Sequence, residues 1–139
     1  MATLTVAELQ DILAMAFPNA EVPRVEEVSG VTVLVCLPTS QRHGRPGGTI
    51  SGPTMMMLAD TAAWMAILAQ IGPVLLAVTT SLHIDFLRKP DITDLMARGR
   101  LLKLGRKLAV VDVELFSRGE TKLVAKSQVT YSIPSSEAS

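Results

Sequence analysis

The chain has 139 residues, of which 48% are hydrophobic and 19% are charged, and its formal net charge is zero. A chain of this length forms one domain with its own core, and the low share of charged residues predicts that some surface is buried in a homo-oligomer. Zero net charge gives no general attraction to nucleic acid or to an acidic membrane. The single cysteine, Cys36, excludes an internal disulfide and a cysteine-rich metal site, so we expect a reducing, cytoplasmic location.

The N-terminal part of the chain predicts a short helix followed by a buried strand. Thr5-Val6-Ala7-Glu8 has the capping-box pattern, and apolar residues at helical spacing predict a helix over Val6–Ala16 that Pro18 ends. Residues 31–37 are apolar and largely β-branched, which predicts a strand. Residues 1–20 lack the basic start and unbroken apolar run of a secretory signal, so none is expected.

A glycine-rich turn at 47–53 leads into a long apolar helix, predicted over 53–70. Pro53 suits the first helical position because its missing N–H would have no partner there. The helix would be about 27 Å long at 1.5 Å per residue, and it is apolar on nearly all sides, so other elements must surround it. Asp60 and the Gly72-Pro73 break argue against a membrane span, so we expect a buried helix and no membrane partner.

The second half of the chain predicts a meander of long strands. Apolar and polar residues alternate along 78–86, 109–116 and 123–133, a further long strand is predicted over 95–104, and turns separate these stretches. In the first of them one face is predicted to carry Val78, Thr80, Leu82, Ile84 and Phe86, and the other face Thr79, Ser81, His83 and Asp85. We predict an α+β fold in which one antiparallel sheet wraps around the central helix. It forms a single domain over 1–139, with a frayed tail at 134–139.

Asp60 is the first candidate for chemistry. A carboxylate in an apolar helix is costly unless it is paired or lies at an interface, and such acids are enriched at active sites. As a base or nucleophile it would assist the attack of water on an activated carbonyl. The structural alternative is an acid that faces solvent or binds a nearby hydroxyl such as that of Thr61.

The start of the central helix supplies a second candidate group. Its free N–H groups and the positive end of its dipole suit an oxygen that gathers negative charge, and Gly52 offers the best donor because Pro53 has none. The alternative is a glycine needed only for the turn. Gly52 and Asp60 are eight residues apart, about 12 Å along a helix, yet both groups must meet one carbonyl. We therefore predict a site shared between two subunits.

Other polar residues form weaker patterns. Ser81, His83 and Asp85 lie on one face of a strand, roughly 6.6 Å apart, which is too far for a catalytic triad and favours a plain strand surface. Arg88 and Arg106 lie at predicted turns where they could hold phosphates, although solvated turns are commoner. The sequence has no phosphate loop, dinucleotide fingerprint or aromatic–basic pattern for nucleic acid.

The glycine turn and the helix carry a family resemblance. Gly48-Thr49-Ile50-Ser51-Gly52-Pro53, followed by Leu58-Ala59-Asp60-Thr61-Ala62, resembles the hot-dog-fold acyl-CoA thioesterases of the phenylacetate-degradation type. Residues 78–88 are similar to the strand after their central helix, and the similarity spans roughly 25–133. That family usually has Gly-Thr-x-His-Gly-Gly, with the His nine residues before the catalytic Asp. Ser51 stands at the His position, and Arg45 stands where an Asn commonly precedes it.

The resemblance implies a hot-dog dimer, paired into a tetramer, that hydrolyses acyl-CoA without metal or redox cofactor. Asp60 would activate water or attack directly, and the Gly52 N–H would hold the oxyanion. Ser51 and Thr79 would position the carbonyl or the water. The implied substrate-binding residues are Arg45, Pro53, Trp64, Arg88 and Arg106. The replaced His and Asn leave open a non-catalytic acyl-CoA-binding or regulatory protein, and a dehydratase is a weaker alternative because those enzymes usually pair an acid with a His.

Overall fold

A computed structural model of the protein describes residues 2–135. It has two α-helices, α1 (Val6–Ala16) and α2 (Gly52–Ile71). Its strands are β1 (Arg24–Ser29), β2 (Thr32–Leu37), β3 (Gly44–Arg45), β4 (Thr49–Ile50), β5 (Val78–Phe86), β6 (Leu95–Leu104), β7 (Leu108–Ser117) and β8 (Ala125–Ser132). The predicted strand at 31–37 and the later strands are confirmed to within two residues at their ends. Residues 136–139 of the predicted frayed tail lie outside the described residues.

One six-stranded antiparallel sheet forms most of the molecule. Its order is β1-β2-β6-β7-β8-β5, so β1 and β5 are its two edge strands. The inward-facing residues of β7 and β8 alternate as predicted, and those of β7 are Ala109, Val111, Val113 and Leu115, all fully buried. The concave side of the sheet holds α2, which confirms the predicted sheet around one long helix.

Helix α1 begins at the predicted capping box. The Thr5 hydroxyl accepts a hydrogen bond from the Glu8 N–H at 3.2 Å, and the Glu8 carboxylate accepts one from the Thr5 N–H at 2.9 Å. Leu9, Ile12 and Leu13 are buried, so the helix covers one end of the core. Its last turn lies beside α2.

Helix α2 is covered on all sides along most of its second half but only on one side along its first, where Met55, Leu58 and Ala59 are buried. The helix begins at Gly52, so Pro53 occupies the second helical position and the prediction that it comes first was wrong by one residue. From Ala62 to Ala69 every residue is buried. Met56 and Met57, one turn earlier, are 41% and 39% exposed. Within one chain the sheet therefore supplies most of the cover of the helix, as predicted, and leaves one side of its first half exposed.

The length and composition of α2 would also suit a membrane span. Within the fold, 61% of its most apolar window is buried. The helix is therefore the core of this domain.

Strand β5 departs from the predicted alternation at its start. A β-bulge lies between Thr79 and Ser81, where Thr79 pairs with Tyr131 and Ser81 pairs with Thr130. The extra residue reverses the direction in which the following side chains point. Thr79 therefore shares the inner face with Leu82, whereas Val78, predicted to lie on the same face as Leu82, is 57% exposed.

Candidate active site

Asp60 is half-buried on α2 and is held by two hydroxyl groups from the sheet. The Thr79 Oγ1 donates a hydrogen bond to Asp60 Oδ1 at 2.6 Å, and the Tyr131 Oη donates to the same oxygen at 2.9 Å. Tyr131 Oη also lies 3.2 Å from the Asp60 backbone carbonyl oxygen. Within residues 2–135 no donor reaches Oδ2. One carboxylate oxygen is fixed and the other is free to meet water or substrate.

Tyr131 is a candidate site residue that the sequence patterns did not indicate, since they place it only within the last predicted strand, 123–133. It is 5% exposed, and burial raises its pKa, with a further contribution from the Asp60 charge. The phenol therefore stays protonated and remains a donor. The available signal was a lone tyrosine at an inward-facing position, because a buried tyrosine hydroxyl requires a partner. The predicted alternative partner, Thr61, instead donates to the Met57 carbonyl oxygen at 2.9 Å.

A small hairpin of β3 and β4 fixes the start of α2. Residues 41–50 contain a 3₁₀ turn and this hairpin, with Gly47 and Gly48 at φ 102° and 72°, conformations that favour glycine. The Ser51 N–H donates to the His43 carbonyl oxygen at 2.9 Å. The Ser51 Oγ accepts from the Thr54 N–H at 3.3 Å and shares a hydrogen bond with Thr54 Oγ1 at 2.8 Å. The Ser51 hydroxyl is thus engaged as the helix N-cap.

Gly52 opens onto a recess of about 480 Å³, the Gly52 recess. Its walls include Arg45, Gly52, Pro53, Phe86 and Arg88. The Phe86 ring is 3.4 Å from the position that a Cβ would take at residue 52, so the ring packs directly on the helix start. The Gly52 N–H has no hydrogen-bond acceptor among the described residues. The free Gly52 N–H therefore shares this recess with three of the predicted substrate-binding residues, Arg45, Pro53 and Arg88.

A second recess, of about 540 Å³, is bordered by Thr79 and Tyr131, the two residues that bind Asp60, and is called here the Asp60 recess. Its walls include Phe17, Trp64, Leu75, Val78, Thr79 and Tyr131. Trp64 is 7% exposed, and the Phe17 ring meets it edge to face with centroids 6.2 Å apart. In the part of the chain that the structure describes, the Asp60 recess and the Gly52 recess have no wall residue in common. Within one chain, the residues that hold Asp60 and the N-terminus of α2 therefore border different recesses.

Comparison with known proteins settles the family. The sequence model of the thioesterase superfamily matches residues 47–124, which include the glycine turn, α2 and the strands that hold the candidate site. The chain belongs to the thioesterase superfamily.

Solved structures and a curated relative agree with this assignment. A crystal structure from a Silicibacter species, provisionally named a thioesterase, is 42% identical with a TM-score of 0.88, covering 96% of this chain and 94% of that chain. Zebrafish thioesterase superfamily member 2 is 22% identical, with a TM-score of 0.83. The match covers 95% of this chain and 100% of that chain, and it shows similarity of fold. A Thermoplasma acidophilum protein, provisionally named an esterase, is 25% identical over 109 residues, 78% of this chain and 81% of that protein. The predicted hot-dog fold is confirmed, and this superfamily member is a hydrolase of the thioesterase class.

Arg106 stands apart from the other candidate residues of this superfamily member. It borders a third recess with Ile71, Val74, Lys107 and Ile133 at the C-terminal end of α2. Within one chain it therefore meets neither Gly52 nor Asp60.

The strand surface at His83 and Asp85 differs from the prediction in one respect. Their side chains lie 3.0 Å apart, Nε2 to Oδ2, so the predicted separation was wrong for this pair. Both side chains are largely exposed, at 73% and 64%, so this remains a surface contact. Among residues 2–135 no group of three or more His, Cys, Asp or Glu side chains could hold a metal ion.

Proposed function

We propose that the protein is an acyl-CoA thioesterase that releases a free acid and CoA, using Asp60 of one subunit and the Gly52 N–H of another. The observation that carries the proposal is the pair of hydrogen bonds to Asp60 Oδ1, which orients the carboxylate and leaves Oδ2 free. A fixed carboxylate with one free oxygen suits a general base, because the proton acceptor must be held within hydrogen-bond reach of its water.

The reaction follows from these two groups. Asp60 Oδ2 takes a proton from water as the water oxygen bonds to the thioester carbon, and the carbonyl oxygen becomes an oxyanion. The Gly52 N–H at the positive end of α2 stabilises that charge. The carbon–sulfur bond then breaks, and the leaving CoA sulfur receives the proton from Asp60. Direct attack by Oδ2, followed by hydrolysis of the anhydride, would use the same groups.

A homodimer through β5 would bring the two groups together. Strand β5 is an edge strand of the sheet and is mostly exposed, with Val78 and Phe86 at its two ends. Exposed edges of this kind pair readily with another strand. If β5 pairs antiparallel with its copy, the Phe86 end of one subunit meets the Val78 end of the other. Phe86 packs on Gly52 and Thr79 binds Asp60, so this pairing supports a shared site. Two such dimers would form the proposed tetramer.

The basic residues fit the CoA part of the substrate. Arg45 and Arg88 border the Gly52 recess, where their guanidinium groups suit phosphate oxygens. Arg106 lies at the Val78 end of the sheet, since Val78 pairs with Ser132 and the next residue donates to the Lys107 carbonyl oxygen. In the proposed dimer that end adjoins the partner's phosphate-binding recess. The reaction uses no metal or redox cofactor, and we propose that it takes place in the cytoplasm.

A non-catalytic acyl-CoA-binding protein is the second candidate function. It is favoured by Ser51, which replaces the usual His and whose hydroxyl is engaged in the helix cap. Saturable binding of acyl-CoA without release of thiol would support this alternative.

The experiment that tests the proposal is thiol release from short, long and aromatic acyl-CoAs by wild type and Asp60→Asn. The substitution should lower kcat by about a hundredfold or more, the usual range for a general base, while circular dichroism and melting temperature stay close to wild type. Asp11→Asn, which neutralises an exposed carboxylate on α1, is the matched control and should keep full activity. Wild-type activity in Asp60→Asn would rule out the mechanism.

A further inference from the structure

The proposed dimer gives the two ends of the substrate different surroundings. The thioester carbonyl would lie between Asp60 and the partner's helix N-terminus, and the CoA phosphates suit the arginines of the Gly52 recess. The Asp60 recess lies beside the two hydroxyl groups that bind Asp60, and its other walls are largely apolar. An apolar recess beside the acid suits an acyl group.

Phe17 ends this recess. It follows the last residue of α1, where its backbone N–H donates to the Leu13 carbonyl oxygen at 3.1 Å, so the backbone is fixed. Its ring meets Trp64 edge to face at 6.2 Å, which is a favourable aromatic geometry. Phe17 is nevertheless 49% exposed, and it is a wall residue rather than a core residue.

Phe17 also borders a further recess. This α1 recess has a volume of about 520 Å³, and its walls include Leu13, Phe17, Val22, Arg42, Met57 and Thr61. Among residues 2–135, Phe17 is the one residue that borders both it and the Asp60 recess. The α1 recess lies next to the acid as well, because Thr61 follows Asp60 and Met57 is one turn before Thr61 on α2.

We propose that the Asp60 recess binds the acyl group and that Phe17 limits its length, so that the enzyme takes compact acyl groups rather than long straight chains. This inference rests on the proposed function. Long chains would have to displace the Phe17 ring or bend into solvent, since Phe17 is the residue at which the Asp60 recess and the α1 recess meet. Removing the ring joins the two recesses and gives a long chain room beside α1.

The test measures kcat/KM on a series of straight-chain acyl-CoAs of increasing length. Wild type should prefer short chains, and Phe17→Ala should raise the long-to-short ratio of kcat/KM by about tenfold, the range expected for a few apolar contacts. Phe17→Trp should move the ratio the other way. The ratio compares two substrates on one enzyme, so a partial loss of folded protein does not change it. Met15→Ala, which trims a 60% exposed side chain of the same helix, is the matched control and should keep the wild-type ratio.

The outcomes separate this inference from the proposed function. Absence of thiol release from every acyl-CoA by wild type would contradict the proposed function. If wild type is active and the long-to-short ratio of kcat/KM is the same in wild type, Phe17→Ala and Phe17→Trp, the proposed function stands and the role of Phe17 is overturned. A wild-type preference for long chains would overturn it too, because the ring would then not limit the site.

Discussion

The Tyr131 hydroxyl lies 2.9 Å from Asp60 Oδ1 and joins β8 to the middle of α2. A hydrogen bond to a charged group contributes roughly 1.5–3 kcal/mol, and here it fixes the orientation of the carboxylate. Tyr131→Phe removes the hydroxyl and keeps the buried ring. We expect kcat to fall about ten- to a hundredfold, since 1.4 kcal/mol corresponds to about tenfold in rate, with KM close to wild type. Steady-state kinetics on one acyl-CoA checks this.

A double-mutant cycle separates positioning from packing. If Tyr131 acts through the carboxylate, adding Tyr131→Phe to Asp60→Asn should cost no further activity. If the hydroxyl instead supports only the fold, the two losses should multiply. A Tyr131→Phe enzyme with wild-type kcat would contradict the role of this residue.

The shared site can be tested by mixing two inactive variants. Gly52→Pro removes the proposed oxyanion donor while proline remains well suited to the first helical position, and Gly52→Ala keeps the donor as its matched control. We expect Gly52→Pro to lose most activity. Co-refolding it with Asp60→Asn should restore about a quarter of wild-type activity, because about half of the dimers are mixed and each has one intact site.

A site formed within one chain predicts a different result when the two variants are mixed. If Gly52 and Asp60 of the same chain formed the site, every site in a mixed dimer would carry one defect and no activity would return. Co-refolding each variant with itself sets the baseline, and gel filtration before the assay establishes that dimers have formed.

The fold followed from sequence patterns more fully than the site did. The alternation along β7 and the capping box of α1 act over a few neighbouring residues, so both were predictable. The position of Thr79 was not, because the bulge before Ser81 depends on pairing with β8 rather than on β5 itself. Tyr131 was missed for the same reason, since 71 residues separate it from Asp60 and only the sheet order brings them together.

The contact between His83 and Asp85 shows the limit of distances taken from the backbone. The spacing of alternate residues in a strand describes their Cα atoms. Long side chains on the same face can bend toward each other, and these two meet at 3.0 Å. A backbone spacing therefore does not exclude a side-chain hydrogen bond.

An ion-pair cluster on the outer surface should make stability depend on pH. Hydrogen bonds from Arg118, at 2.5 Å, and from Arg24, at 2.9 Å, lower the pKa of Glu26 from its ordinary value of 4.5. The folded state therefore binds this proton less tightly than the unfolded chain does. The resulting stability is present above the unfolded pKa and is lost as pH falls through the lower folded value.

Glu26→Gln should accordingly lower the free energy of unfolding near neutral pH, and its difference from wild type should shrink as the solution becomes acidic. Urea denaturation at a series of pH values measures this difference. Glu27→Gln, at the neighbouring position, is the matched control and should show less pH dependence. An equal difference at all pH values would contradict the ion-pair explanation.

Ser51 allows helix capping to be separated from catalysis. Its hydroxyl caps α2 through Thr54, so Ser51→Ala should lower stability by about 1 kcal/mol. Ser51→Asn keeps a neutral cap and should retain both stability and activity. Ser51→Asp also caps the helix, and its charge favours the helix dipole, but the same charge lies next to the N–H that must hold an oxyanion. We expect Ser51→Asp to melt at or above the wild-type temperature and to lose about tenfold or more in kcat. Equal kcat in the Asn and Asp variants would show that no negative charge develops near Gly52 during the reaction.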